Sequence, residues 1–268
     1  MVKQALKAIL RAVAPGYYDS LAMTRANRHG IAVMEKHGIP AITKTVIERC
    51  GMKVLTGPFA GMNYITESAG SSFLPKLIGS YESELHGVLQ SVLATEYETA
   101  VDVGSAEGYY AVGLAMRLRG SPRIHAFDIN PEAQTLCRKL ASENGMAEKV
   151  IIESFCDPAR LQQKLKGRSL VVCDCEGYEF DLLKPDLVPA LAQADILVEL
   201  HDVLKPGITP ALMERFATSH AITLIDTAER KPEDYPMISF LAPDEQNSAL
   251  SEFRNGFQQW AFMTPKSG

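Results

Sequence analysis

The spacing of hydrophobic residues changes near residue 98, and this change divides the chain into two predicted regions. Before it, Ala5, Ile9, Leu10 and Val13 recur at helical spacing, and residues 1 to about 50 are predicted to be helical. A short β-like stretch, KVLTGPFAGMNYIT, and a helix within LIGSYESELHGVLQSVLATEY follow. From residue 98 onward, short apolar runs alternate with helical stretches. We therefore expect a helical cap region over residues 1–75 and a second domain over residues 76–268.

Seven short apolar runs in the second region predict seven strands. They are TAVDV, RIHAFDI, KVIIESF, SLVVCD, DILVEL, HAITLID and QQWAFMTP. One intervening helix, PEAQTLCRKLASENG, starts at Pro131 and stops at Gly145. Apolar strands that alternate with helices are typical of a parallel sheet covered on both faces, and the last strand is expected to be an antiparallel edge. The predicted fold is α/β, a Rossmann-like, seven-stranded, mostly parallel sheet with a helical N-terminal extension.

Composition and charge exclude several classes of partner. Hydrophobic residues make up 46% of the 268-residue chain, and the net charge of −5 comes without any basic block. Nucleic acid is therefore a disfavoured partner, because phosphate neutralisation needs clustered Lys and Arg. No apolar run approaches the roughly 20 residues of a membrane span. The five cysteines form no C-x-x-C pair, which predicts reduced thiols and a cytoplasmic protein.

The first predicted strand ends in the turn VDVGSAEGYYAVGLA. Ligands of such sheets bind beyond the carboxyl ends of the strands. Gly104 and Gly108 are expected to let the backbone turn sharply and to let a ligand lie against it. The G-x-x-x-G spacing differs from the G-x-G-x-x-G of dinucleotide sites, which disfavours a nicotinamide oxidoreductase. Asp102 and Glu107 would also repel a diphosphate, whereas they suit a cationic ligand.

Two further acids follow the second and third predicted strands. Asp128 in FDIN is placed to accept hydrogen bonds from a ribose, and Asp157 in SFCD from an adenine amino group, with Cys156 beside the ring. S-adenosylmethionine (SAM) combines a sulfonium, an ammonium and a ribose without phosphate, so it suits this set of acids. The alternative is that Asp102 caps a turn and that Asp128 caps the helix opened by Pro131.

These motifs resemble those of class I SAM-dependent methyltransferases. VVCDCEGYEFDLL and ILVELHDV resemble the narrower FkbM-like family, whose members O-methylate hydroxyl groups, and IGSYESEL matches a G-x-Y-E element through Gly79, Tyr81 and Glu82. An ordinary helix start with Ser80 as its N-cap is the alternative for that element. The cofactor-binding residues implied by the resemblance are Tyr81, Asp102, Gly104, Ser105, Glu107, Gly108, Asp128, Ile129, Cys156, Asp157 and Asp174.

The ends of the fourth and fifth strands are where we expect the chemistry. In one alternative His201 or Glu176 is the general base for an acceptor hydroxyl. In the other, Asp174 and Glu199, with or without His201, hold a divalent metal such as Mg²⁺. This arrangement resembles metal-dependent sugar O-methyltransferases, from which Leu200 departs because those enzymes often carry a second acid there.

Other polar residues near these strands have plainer expected roles. His201 and Asp202 would, in a purely structural interpretation, cap the loop before Pro206. Glu179 and Asp181 are expected to be solvated or to cap a helix.

The expected function is SAM-dependent O-methylation of a small molecule, a sugar or a lipid-linked glycan. N- or C-methylation, or a SAM-binding module without turnover, are the alternatives, and a homo-oligomer is possible. Trp260 and Tyr235 are placed to wall an acceptor pocket, although Trp260 could instead fill the core face of the last strand, and Arg254 is placed to bind an acidic group of the acceptor.

Overall fold

A seven-stranded sheet organises the chain, whose computed structural model describes residues 32–67, 72–254, 256 and 258–266. The strands are β1 (Thr99–Val103), β2 (Arg123–Phe127), β3 (Val150–Glu153), β4 (Ser169–Cys173), β5 (Ala194–Glu199), β6 (His220–Asp226) and β7 (Gln259–Pro265). Their order is β3-β2-β1-β4-β5-β7-β6. The first five strands pair in parallel, and β7 runs antiparallel to both of its neighbours. The predicted Rossmann-like, mostly parallel fold is confirmed.

The last strand is antiparallel as predicted, but its predicted place at the edge of the sheet is wrong. β7 lies between β5 and β6, and its residues Trp260, Ala261 and Met263 are fully buried. β6 forms the edge instead, and most of its residues are exposed or half-buried, including Leu224. The strand with the more continuous apolar run therefore takes the interior position, because both of its faces are covered.

Helices cover the two faces of the sheet. They are α1 (Ile39–Cys50), α2 (Phe73–Ile78), α3 (His86–Ala94), α4 (Tyr109–Arg117), α5 (Pro131–Glu143), α6 (Pro158–Lys164), α7 (Glu179–Leu182), α8 (Ile208–Phe216) and α9 (Pro243–Leu250). Helix α5 begins at Pro131 as predicted, because the Asn130 side chain accepts a hydrogen bond from the Glu132 N–H and caps it. No helix of the described residues is long and apolar enough to cross a membrane.

The N-terminal region packs directly onto the sheet. Ile42 and Val46 of α1 share one hydrophobic cluster with Ala100 of β1 and Ile124 of β2. The helix predicted around residues 5–13 lies outside the described residues, and the boundary at residue 75 stays a prediction. Within the β-like stretch at residues 53–66, the β-pairing among the described residues is the isolated antiparallel Lys53–Asn63 bridge, which joins two positions of the stretch itself.

The helix predicted within residues 77–97 is confirmed as α3, and a separate short helix, α2, precedes it and ends at Gly79. Helix α2 ends there because Gly79 has a φ of 87°, and a Cβ at this position would lie 2.0 Å from the Thr56 carbonyl oxygen. A 3₁₀ turn over Ser83–Leu85 follows before α3 begins. Ser80 makes no N-cap, since its hydroxyl donates back to the Pro75 carbonyl. Tyr81 and Glu82 therefore lie in a break between helices.

Candidate active site

The order of the sheet reverses at β1 and β4, which places the candidate site. The chain leaves β1 toward β2 and β3 on one side and returns to β4 and β5 on the other. The parallel strands share one edge for their carboxyl ends, and ligands of open α/β sheets bind in the crevice beside such a reversal. Asp102, Asp128, Asp174 and Glu199 all lie within or directly after these strand ends.

Asp102 is a buried acid whose hydrogen bonds are incomplete. Its Oδ2 atom has no hydrogen-bond partner among the described residues, and the same holds for the nearby Ser105 hydroxyl. Burial, and then repulsion from Asp174, raise the pKa of Asp102 to about 8. A buried acceptor without a donor is costly, so the site suits a ligand that brings a hydrogen-bond donor or a positive charge.

The two glycines of the turn are required by the packing of the protein itself. A Cβ on Gly104, which has a φ of 87°, would lie 1.5 Å from the Asp174 carbonyl oxygen. A Cβ on Gly108 would lie 2.6 Å from the Cys137 sulfur. The positive φ of both glycines confirms the expected sharp turn. The space that a Cβ would take is filled by the segment after β4 and by helix α5, and the expectation that a ligand lies against the turn stays a prediction.

Glu107 ties the turn to the N-terminal region. Its carboxylate forms a buried ion pair with Lys76 of α2 and accepts a 2.6 Å hydrogen bond from the Tyr64 hydroxyl. Burial opposes ionisation of this carboxyl, but Lys76 outweighs it, and the pKa of Glu107 is lowered. The cofactor-binding role expected for Glu107 stays a prediction, and the contacts observed are those of a structural tie.

The acids after β2 and β3 are held by backbone N–H groups. Asp128 accepts hydrogen bonds from Ala106 N at 2.9 Å and from Asn130 N at 2.8 Å, which fixes the turn after β1 against the end of β2. Ile129 beside it is 75% exposed and offers an apolar surface. Asp157 accepts from Arg160 N at 2.8 Å and is the N-cap of α6, while Cys156 is buried next to it.

Four side chains converge beyond the ends of β4 and β5. The Nε2 atom of His201 lies 3.5 Å from Asp174 Oδ1, 3.7 Å from Glu176 Oε2 and 3.6 Å from Glu199 Oε2. Ligand atoms of Asp174, Glu176 and His201 all lie within 4.8 Å of one another. The predicted proximity of the two strand ends is confirmed. Carboxylate oxygens and an imidazole nitrogen gathered around one point are a donor set suited to a divalent cation.

The charges of this cluster are unbalanced in the protein alone. Burial, and then Asp174, raise the pKa of Glu199 to about 10, although the Arg254 guanidinium lies 3.0 Å away. Partial desolvation beside the cluster, and then Asp174, also raise the pKa of Glu176, although most of its side-chain surface is exposed. Burial by itself would lower the pKa of His201, but the hydrogen bond to Glu179 and the Asp174 charge raise it. A proton or a cation at this point therefore stabilises the arrangement.

Glu179 is a site residue that the sequence reasoning missed. The expectation that it is solvated or caps a helix is wrong, because its side chain is fully buried and its Oε1 atom lies 2.9 Å from His201 Nδ1. Asp181 is the exposed acid of this segment, paired with Lys184 and Lys205. Glu179 precedes the buried Leu182 and Leu183 by three and four residues. That helical spacing was the available signal that Glu179 lies on the buried face.

Arg254 binds carboxylates of the protein. Its guanidinium forms ion pairs with Glu82, Glu199 and Glu252. These pairs join the segment after α9 to the break between α2 and α3 and to the end of β5. Burial, opposed by Arg254, raises the pKa of Glu82 to about 7. The expected contact of Arg254 with an acidic group of the acceptor stays a prediction.

Two aromatic residues considered as walls of an acceptor pocket lie in the hydrophobic interior. Trp260 is fully buried, in a cluster with Leu85, Leu89 and Leu197. Tyr235 packs in the main cluster near Ile238. The core-filling alternative is therefore the one observed for Trp260. Tyr235 also lines a cavity with Thr56, His86 and Gln90, and its expected place in an acceptor pocket stays a prediction.

Comparison with known proteins gives structural likeness without sequence likeness. No protein-family model matches the chain, and no curated protein matches it. An O-methyltransferase from Bacillus cereus in complex with S-adenosylhomocysteine (SAH) is 13% identical, with a TM-score of 0.47 over 70% of this chain and 82% of that one. Precorrin 8W decarboxylase from Methanobacterium thermoautotrophicum is 18% identical, with a TM-score of 0.45 over 68% and 89%.

A third solved structure holds a metal. Geranyl diphosphate C-methyltransferase from Streptomyces coelicolor A3(2), in complex with Mg²⁺, geranyl diphosphate and SAH, is 12% identical, with a TM-score of 0.43 over 72% of this chain and 81% of that one. Likeness at this level carries no argument about activity, which has to come from the site itself. The resemblance to the FkbM-like family stays a prediction.

Proposed function

We propose that this chain is a SAM-dependent methyltransferase that acts on a hydroxyl group of a small molecule, a sugar or a lipid-linked glycan. The observation that carries the proposal is that a buried carboxyl oxygen without a hydrogen-bond partner and a cluster of acids around a histidine lie side by side at one edge of the sheet. Asp102 offers a buried carboxyl oxygen without a partner among the described residues, and the acids around His201 lie beside it. Gly104 and the Asp174 carbonyl join the two sites in direct contact.

The donor side fits SAM by the chemistry of its residues. The unpaired oxygens of Asp102 and Ser105 match a cationic ligand rich in hydrogen-bond donors. Asp128, at the end of the neighbouring strand, is placed for ribose hydroxyls, and exposed Ile129 is placed for the adenine face. When bound, SAM supplies an electrophilic methyl group, and the chain has to hold the acceptor oxygen in line with it.

The acceptor side has to bind a hydroxyl and remove its proton. His201 is placed to take that proton at Nε2, which is the ring nitrogen that faces the cluster. The convergence of three carboxylates on this nitrogen also favours a divalent cation such as Mg²⁺, held by Asp174 and Glu199 with Glu176 and His201. Such an ion would supply Lewis acidity at the acceptor oxygen.

Product analysis tests this proposal. The purified chain is incubated with SAM and metabolite extracts, and products heavier by one methylene are sought by mass spectrometry and located by fragmentation. We expect an O-methylated product and micromolar SAH affinity, about −8 kcal/mol. Asp181→Asn is a suitable control, because this exposed acid pairs only with Lys184 and Lys205 among the described residues. N- or C-methylated products would correct the acceptor class, and SAH binding without any product would indicate a binding module.

Chelation separates the two acceptor-side mechanisms. Activity that is lost with EDTA and restored by Mg²⁺ or Mn²⁺ is expected if the cluster holds a metal. Full activity after exhaustive EDTA treatment, with no metal found by elemental analysis, would leave His201 as a base without a metal. Asp181→Asn should behave as the wild type in both assays.

A further inference from the structure

Glu179 makes more contacts than packing alone requires. Its Oε1 atom accepts from the His201 backbone N–H at 3.2 Å and lies 2.9 Å from His201 Nδ1. Its Oε2 atom accepts from Gly177 N at 2.8 Å and from the Cys175 thiol at 3.5 Å. The side chain has no exposure to solvent. A buried carboxylate that accepts from three donors is fixed in place, and because it also lies at hydrogen-bond distance from the ring it holds the imidazole in one orientation.

The two ring nitrogens of His201 compete for one proton when the ring is neutral. Among the acids of the described residues, Glu179 is the one near Nδ1, whereas Nε2 faces oxygens of Asp174, Glu176 and Glu199. Three acidic neighbours would draw the proton to Nε2 and leave no lone pair there. Only the Nδ1–Glu179 distance of 2.9 Å is a hydrogen-bond length, since the other three are 3.5–3.7 Å.

The environment of the acids also favours Glu179 in this competition. Glu179 is fully buried, while the Glu176 side chain is 78% exposed and screened by solvent. Glu199 lies 3.0 Å from the Arg254 guanidinium, which offsets its charge and reduces its attraction for a proton on Nε2.

We propose that Glu179 is a positioning residue that holds the proton of neutral His201 on Nδ1, so that Nε2 presents its lone pair to the cluster. The use made of that lone pair, to accept a hydroxyl proton or to bind a metal, rests on the proposed function. The position of the proton does not. Carboxylates that orient a histidine through its other nitrogen fix the tautomer in this way in metal sites and in hydrolase triads.

Nitrogen NMR of the metal-free protein tests the inference directly. The protein is labelled with ¹⁵N-histidine, its six histidines are resolved, and His201 is assigned by its absence in His201→Gln. At alkaline pH, where the ring is neutral, we expect the Nδ1–H tautomer to exceed the Nε2–H tautomer by about tenfold or more, as a charge-assisted hydrogen bond provides. A His201 proton found mainly on Nε2 in the wild type would overturn the inference.

Two variants separate this role from a general loss of charge. Glu179→Gln keeps the shape and removes the charge, and we expect the tautomer ratio to fall by about tenfold. Asp181 lies on the same short helix but pairs with Lys184 and Lys205 and not with His201. Asp181→Asn should therefore leave the tautomer ratio unchanged. An unchanged ratio in Glu179→Gln refutes the role. If Glu179→Gln does not fold, the wild-type spectrum decides alone.

The same samples distinguish the failure of this inference from the failure of the proposed function. The tautomer is read without SAM, acceptor or metal, so an Nδ1–H ring in a protein that forms no methylated product refutes only the proposed function. An Nε2–H ring in a protein that does form product refutes only the role of Glu179. If both hold, Glu179→Gln should lower kcat by about 10–100-fold with the KM for SAM unchanged, as for other residues that orient a ligand.

Discussion

Replacement of Asp102 by Asn tests the donor side of the site, because it removes an ionisable group and keeps the shape. Asp102 holds its proton up to about pH 8 in the folded protein, whereas an unfolded Asp loses it near pH 3.9. The folded state therefore binds one more proton between about pH 4 and pH 8. Over that window the free energy of unfolding falls with rising pH, by about 1.4 kcal/mol per pH unit.

The size of the effect follows from the width of this window. About four pH units correspond to a loss of on the order of 5 kcal/mol between pH 4 and pH 8. Asn does not ionise, so its burial costs the same at every pH. Asp102→Asn should therefore be more stable than the wild type at pH 8, and this gain in stability should shrink toward pH 4. The opposite is expected for ligand binding, which should weaken by about 1.5–3 kcal/mol when the charged acceptor is lost.

Proton release on binding provides the sharper assay. A cationic group that binds ionised Asp102 displaces its proton, so the SAH affinity of the wild type should rise by up to about tenfold per pH unit from pH 6 to pH 8. Calorimetry in two buffers of different ionisation enthalpy counts the released protons, and urea unfolding at the same pH values measures stability. Asp128→Asn is the matched control, because it should weaken binding and keep the slope. A flat affinity in the wild type, or a slope that persists in Asp102→Asn, would refute the reasoning.

Three further predictions address the rest of the site. His201→Ala should lower turnover by about 10²–10⁴-fold, the usual loss of a general base, with SAH affinity within about twofold in calorimetry. Gly104→Ala should fail to give a folded protein by circular dichroism, because its Cβ would lie 1.5 Å from the Asp174 carbonyl oxygen; a folded variant that only loses SAH would contradict this. Arg254→Ala should cost about 3–5 kcal/mol in urea unfolding, as for a broken buried ion pair. That cost should be larger at pH 8 than at pH 6, since protonation of Glu82, with its pKa of about 7, relieves the unpaired charge at low pH.

The strands were predictable from sequence because each apolar run is short and bounded by helical stretches. The order of β6 and β7 was not, because chain order does not determine which strand takes the interior position. The exposure of β6, which includes the side chain of Leu224, is evident only in the folded structure. The end of α2 at Gly79 is not predictable from the local sequence for a similar reason, since the Thr56 carbonyl that requires a glycine there comes from a segment 23 positions earlier.

The candidate site was predictable where it depends on strand ends and unpredictable where it depends on tertiary contacts. Asp174, Glu199 and His201 follow apolar strands directly, so the sheet itself brings them together. Glu107 was expected beside a ligand, yet its observed partner Lys76 lies 31 residues away in a segment without a motif. A charged residue such as Glu179 is usually exposed, and this general tendency favours solvent over the buried helix face that its spacing to Leu182 and Leu183 indicates.

The contact between Gly104 and the Asp174 carbonyl has a consequence for comparing descendants of such a sequence. Any bulkier residue at position 104 would separate two loops of the folded chain whether or not a ligand ever binds. A descendant that had lost catalysis would still need this glycine for folding, while its acids at positions 102, 174 and 199 would be released from function. The glycine of the turn therefore marks the architecture, and the acids are the residues to inspect when active and inactive descendants are told apart.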